Sequence, residues 1–156
     1  MSDVIIVAPH ADDEIIGCYE VLTTSSRPII IYSGDMDADR RDRVLNLKEF
    51  IDCKLQLFQM TVPQTFLSKE NKYYLPDPHF EHHPKHREWG FLGETMARNG
   101  FDVIFYSTNM NAPYIHEVKY PDRKEKLLND AYPDQSDLWK YEKKYVLFEG
   151  YCKWVF

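Results

Sequence analysis

A chain of 156 residues, 44% apolar and 28% charged, has the size and composition of one globular domain with a single substantial core. Its formal net charge of −6 argues against sequence-independent nucleic-acid binding, which depends on neutralising phosphates with Lys and Arg. Three scattered cysteines, Cys18, Cys53 and Cys152, are too few for a disulfide framework or a Cys-based zinc site, so reduced thiols and a cytoplasmic location are expected.

Val4 to Ala8 is a continuous, mostly β-branched run, the pattern of a strand buried on both faces. It is far too short for a signal peptide or a membrane span, and no basic leader precedes it, so no membrane partner is expected. Pro9 stops the run and His10-Ala11-Asp12-Asp13-Glu14 follows. Ile15, Ile16, Tyr19 and Leu22 then recur at helical spacing, predicting a helix over about Asp13 to Thr23. Pro28 to Tyr32 reads as a second buried strand ending at Ser33-Gly34-Asp35. Arg40 to Ile51 reads as a helix with Val44, Leu47 and Phe50 inward, and Leu55 to Met60 as a third strand.

Strand and helix alternating in this way predict an open, mostly parallel sheet with helices on both faces. Thr61 to Lys85, rich in Pro, His and Tyr, should hold a short strand near Tyr73-Tyr74-Leu75 and a loop. A helix is expected over His86 to Asn99, capped by Gly100, then a buried strand over Phe101 to Ser107. Lys124 to Tyr132 and Leu138 to Tyr151 read as helices parted by Pro133. The basic stretch Lys119 to Lys126, interrupted by Asp122 and Glu125, reads as a solvated helix face. No repeat, linker or low-complexity segment divides the chain, so residues 1–156 form a single expected domain. Aromatics make up 15% of it, with core packing the plainer use. Oligomeric state is not legible.

Ligands of open α/β sheets bind at the carboxyl ends of the strands. Residues 9–14 occupy that place after the first strand and supply an imidazole and three carboxylates. Clustered acids repel one another, and a divalent cation removes that cost. Helix capping by the acids is the bland alternative, and for Glu14, read as an orienting or capping group, it suffices. A second cluster, His79 to Arg87, holds four of the six histidines. His79/His82 and His83/His86 can each bring two imidazoles together, and spacing does not choose between them. A catalytic zinc with three protein ligands and one open position would be completed by one imidazole from here.

At these residues the sequence resembles a known family. His10-Ala11-Asp12-Asp13-Glu14 looks like the His-Pro-Asp-Asp-Glu signature of the PIG-L-type (LmbE-like) de-N-acetylases, which are zinc enzymes of Rossmann-like fold. His83-Pro84-Lys85-His86-Arg87 resembles their His-Pro-Asp-His motif, and Ser33-Gly34-Asp35 and the segment from Lys126 to Gln135 are similar to two weaker ones. The resemblance runs from Val4 to about Tyr151. It implies Zn²⁺ (or another divalent metal such as Fe²⁺) on His10, Asp13 and His86, Asp12 as general base, and His83 beside the reacting carbonyl. It implies a small N-acetylated substrate, such as an N-acetylglucosamine-type sugar, a nucleotide-linked sugar or a related conjugate. Ala11 in place of Pro loosens the loop, and Lys85 in place of an acid changes the charge of the cleft.

Asp35 and Arg43 are placed to meet a substrate hydroxyl or phosphate, with a surface ion pair as the plainer reading. Asn111 and Tyr114 follow a strand end where substrate-facing side chains are expected. His79, His82 and His116 read as surface histidines. Three rival functions stand beside the deacetylase: an inactive binding module of the same fold, a hydrolase of another bond such as a phosphoester, and a two-His-one-carboxylate Fe(II) oxygenase.

Overall fold

The structure, a computed structural model, describes residues 2–34, 44–57 and 68–154. Five parallel strands form its centre: β1 (Val4–Ala8), β2 (Ile29–Ser33), β3 (Lys54–Leu57), β4 (Lys72–Pro76) and β5 (Asp102–Tyr106). β6 (Ile115–Glu117) and β7 (Phe148–Cys152) extend one edge, with β7 antiparallel to both β5 and β6. The strand order β3-β2-β1-β4-β5-β7-β6 makes a seven-stranded, mostly parallel mixed sheet.

Both faces of the sheet are covered, which is why β1 and β2 are apolar at every position but Ser33. Val4, Ile6, Ala8, Ile29 and Ile31 face a core built with Ile15 and Leu22 of α1 (Asp13–Thr24). Leu127 and Leu128 of α3 (Pro121–Ala131) complete that side. Ile5, Val7, Ile30, Tyr73, Leu75 and Phe105 face the opposite way, against Met96 and Leu92 of α2 (Pro84–Arg98). Alternation of side chains along each strand divides the two cores. The fold is therefore the expected open α/β sheet with helices on both faces.

α2 ends where Gly100 takes φ +86°, with Phe101 N–H donating to the Met96 carbonyl and Gly100 N–H to the Ala97 carbonyl. That pair of bonds is the Schellman closure foreseen at Gly100.

Three expectations need correction. Leu138 to Tyr151 is not one helix: α4 (Ser136–Tyr141) and α5 (Lys144–Leu147) lead into strand β7. Leu138, Tyr141, Tyr145 and Phe148 have helical spacing, but from Phe148 onward the backbone finds partners on β5 and β6. In the described part of the predicted Arg40–Ile51 helix, residues 44–46 are helical and Leu47–Glu49 is a 3₁₀ turn. Val44 and Leu47 are buried there, whereas Phe50 is exposed. Finally, the basic stretch is only partly solvated, because Lys124 is completely buried against Glu149. Asp35, Arg43 and residues 58–60 of the third predicted strand lie outside the described residues. No described helix is long and apolar enough to cross a membrane.

Candidate metal centre

The sheet order reverses direction at β1: the chain steps outward to β2 and β3, then returns to β4 on the other side. Such a switch point opens a crevice at the carboxyl ends of the two strands. The loops after β1 and β4 meet there, joining His10-Asp13 to the histidine-rich segment some seventy residues later.

The β1–α1 turn is closed locally. His10 N–H donates to Asp13 Oδ2 at 2.9 Å, and Asp13 N–H donates to the His10 carbonyl at 3.2 Å. Between them Asp12 adopts φ 104°, the only positive φ of a non-glycine residue among the described residues. That conformation is uncommon for an L side chain, is tolerated best by Asp and Asn, and gathers at functional sites. On the other side of the crevice, Pro84 opens α2 and the His83 side chain caps it, Nδ1 accepting from Lys85 N–H at 3.1 Å. His86 follows one turn in and is buried.

Three donor atoms converge. His86 Nε2 lies 2.9 Å from Asp13 Oδ2, His10 Nδ1 lies 3.5 Å from the same oxygen, and the two ring nitrogens are 3.2 Å apart. Three ligands each about 2.0–2.1 Å from a tetrahedral zinc would stand about 3.3 Å from one another, so these spacings suit such an ion. His10, Asp13 and His86 are also the group of metal-ligating side chains that the described residues bring within 4.8 Å. Behind His86, Glu81 Oε1 stands 3.4 Å from Nδ1. Glu81 in turn accepts from Thr108 N–H at 2.7 Å and from the Thr108 hydroxyl. A carboxylate on the rear nitrogen of a ligating imidazole fixes its ring and tautomer, as outer partners of metal ligands do.

The electrostatics follow from this crowding. Burial alone would raise the Asp13 pKa, but the His86 charge and the hydrogen bonds from His10 and His86 hold it well below the usual carboxylate range. Burial works against a charge on His86, yet Asp13 and Glu81 push its pKa up to about 10. Two carboxylates thus favour a cation at this point, and a metal would take the place of that proton. Burial lifts Glu14 to about 7. Its oxygens are engaged by the Tyr132 hydroxyl and Asp12 N–H, in keeping with an orienting role rather than a ligating one.

A cavity of about 320 Å³ covers the cluster, lined by His10, Asp12, Asp13, His83 and His86 together with Leu138 and Tyr145. His83 stands edge-on to His10, ring centroids 4.5 Å apart. A second cavity of about 220 Å³ continues from it past His83, Thr108 and Tyr145 to Asn109 and Lys144. The larger cavity, about 710 Å³, opens near Ser25–Ile29 and Phe50–Lys54, and its lining has one carboxylate, Asp52, and no imidazole. Donor chemistry, not volume, marks the site.

Comparison with protein-family models, with curated proteins and with solved structures gave no match. The site therefore rests on its own geometry.

The structure brings together five of the residues singled out from sequence: His10, Asp12, Asp13, His83 and His86. Asn111 and Tyr114 do not line either cavity of the cleft. Asn111 is exposed in a turn, and the Tyr114 hydroxyl donates to Asp77 Oδ2. His79, His82 and His116 are exposed, as expected. Sequence reasoning passed over Glu81, Thr108 and Tyr145. Glu81 lay inside the histidine-rich segment and could have been noticed; Thr108 and Tyr145 reach the cleft only through the fold.

Proposed function

We propose that this protein is a zinc-dependent hydrolase that removes an N-acetyl group from a small substrate, of the N-acetylglucosamine type or a conjugate of it. The observation that carries the reading is the triangle of His10 Nδ1, Asp13 Oδ2 and His86 Nε2 at the sheet's switch point, with Asp12 and His83 beside it. The resemblance of residues 10–14 and 83–87 to the PIG-L-type motifs supplies the bond and the substrate class. The three cysteines are free, in keeping with a cytoplasmic protein.

His10, Asp13 and His86 would hold the ion. When bound, it would supply Lewis-acid polarisation of a carbonyl and a water acidic enough to react near neutral pH. Asp12, which lines the cavity but stands outside the donor triangle, is the group in place to accept that water's proton on a carboxylate oxygen. The same carboxyl then returns the proton to the departing amine nitrogen. His83 holds its Nδ1 against Lys85 N–H, so the neutral ring carries its proton on Nε2 and can donate to the carbonyl oxygen as negative charge grows there. Leu138 and Tyr145 add apolar surface to the cavity lining beside these polar groups.

Two histidines and one carboxylate also make the donor set of Fe(II) oxygenases. Asp12 and His83 favour hydrolysis, because an oxygenase has no need of an acid–base pair placed beside the ligands. The test is metal content of the protein as purified, followed by a screen for free amine released from N-acetylated sugars and nucleotide sugars. One zinc per chain and amine release lost in His86→Ala are expected. Uptake of no divalent metal would refute the reading, and phosphate rather than amine release would move it to a different bond.

A further inference from the structure

α1 is not a regular helix. Cys18 sits at φ −134°, ψ 25°, and divides the single turn that carries Asp13 from the segment running on to Thr24. Kinks have local causes, one of which is a side chain inserted into the backbone ladder. In an undisturbed helix Glu20 N–H would donate to the Ile16 carbonyl, four residues earlier. Here the Ile16 carbonyl accepts from Lys124 Nζ at 2.7 Å, and Glu20 N–H donates to Glu149 Oε1 at 3.1 Å. The ammonium and the carboxylate meet at 2.8 Å, and both side chains are fully buried. Lys124 enters from α3 and also donates to the Phe148 carbonyl; Glu149 enters from β7 and also accepts from the Tyr151 hydroxyl. The ion pair thus binds the two backbone groups on either side of the kink, the Ile16 carbonyl and Glu20 N–H.

A buried ion pair is a poor source of stability, since apolar residues of similar volume usually serve as well or better. The turn it holds explains its presence. Ile15 and Ile16 N–H both donate to the Asp12 carbonyl, at 3.0 and 2.9 Å, so Asp12 to Ile16 form one compact unit. Ile16 is itself one of the residues lining the cavity over the metal cluster. That unit is gripped from α3 at two points, by Lys124 at the Ile16 carbonyl and by Tyr132, just past the helix end, at the Glu14 carboxyl.

We propose that the Lys124–Glu149 ion pair is a positioning device for the metal centre, setting the angle of the first turn of α1 and with it the place of Asp13 opposite His86. The inference rests on the metal-centre reading given above. With the pair removed, the Ile16 carbonyl and Glu20 N–H lose these side-chain partners and the kink at Cys18 is free to change its angle. The 2.9 Å approach of Asp13 Oδ2 to His86 Nε2 is the distance that this would lengthen.

The test is the apolar double variant Lys124→Met/Glu149→Leu, which leaves no buried charge without its partner. Zinc affinity is measured by competition with a chromophoric chelator at a temperature where circular dichroism shows the variant fully folded, and amine release is followed for kcat and KM. The expected result is a zinc affinity lowered roughly tenfold or more, with kcat reduced and KM near the wild-type value. A loss of packing alone would move neither in a protein that remains folded. If the double variant does not fold, Lys124→Met/Glu149→Gln, which removes the grip on the Ile16 carbonyl, keeps an acceptor for Glu20 N–H and leaves no buried charge unpaired, takes its place with the same two readouts. A folded variant with wild-type zinc affinity and kcat overturns the proposal and leaves the metal reading intact. Wild-type protein that takes up no zinc overturns both.

Discussion

Replacing Asp12 separates backbone strain from chemistry at one residue. Its φ of 104° is a conformation that an L side chain occupies at a cost of about 1–2 kcal/mol, whereas glycine occupies it freely. Glycine also makes the unfolded chain more flexible, which costs about 0.5–1 kcal/mol. Asp12→Gly and Asp12→Ala lose the same carboxylate, so their difference isolates the backbone contribution. The strain an alanine retains outweighs the entropy a glycine adds, and the glycine variant should be the more stable by about 0.5–1 kcal/mol. At an ordinary helical or extended position the order would be reversed, so the sign alone is diagnostic. Urea denaturation of the metal-free variants, with equal slopes, measures the difference. The same substitutions remove the proposed base, and turnover by both, and by the nearly isosteric Asp12→Asn, should fall roughly 10²–10⁴-fold. An alanine variant more stable than the glycine variant would refute the strain argument. Near-normal turnover by Asp12→Asn would refute the role as base.

Glu81→Gln should weaken zinc binding roughly 10- to 100-fold while the chain stays folded, because the rear nitrogen of His86 loses its carboxylate; chelator competition measures it, and unchanged affinity would make Glu81 a purely structural group. Tyr132→Phe takes the hydroxyl away from the fully buried Glu14 carboxyl and should cost about 1–3 kcal/mol, read as a lower urea midpoint. Gly90→Ala should destabilise by about 1–3 kcal/mol, since a Cβ there would stand 2.5 Å from the Pro76 carbonyl oxygen and 2.6 Å from Pro78 N, both backbone atoms with little freedom to yield. A Gly90→Ala variant as stable as wild type would mean that α2 can lift away from the loop after β4.

The sequence by itself determined what short-range chemistry encodes. Apolar runs within Val4–Ala8, Pro28–Tyr32 and Phe101–Ser107 specified the strands found at Val4–Ala8, Ile29–Ser33 and Asp102–Tyr106, because a strand covered on both faces can carry few polar side chains. The turn after the first strand stands out as a candidate cation site, because its own acids would otherwise repel one another. Gly100 announced the end of α2. Only the tertiary structure decided which histidine of the second cluster meets that turn. His86 and His10 are 76 positions apart, and their 3.2 Å approach exists because β4 pairs with β1, a register fixed by packing on both sheet faces rather than by either segment alone. Lys124 and Phe148–Cys152 teach the same lesson. A lysine reads as solvated until a buried carboxylate arrives from β7, and β7 itself becomes a strand because β5 and β6 offer it hydrogen bonds that no helical spacing can foretell.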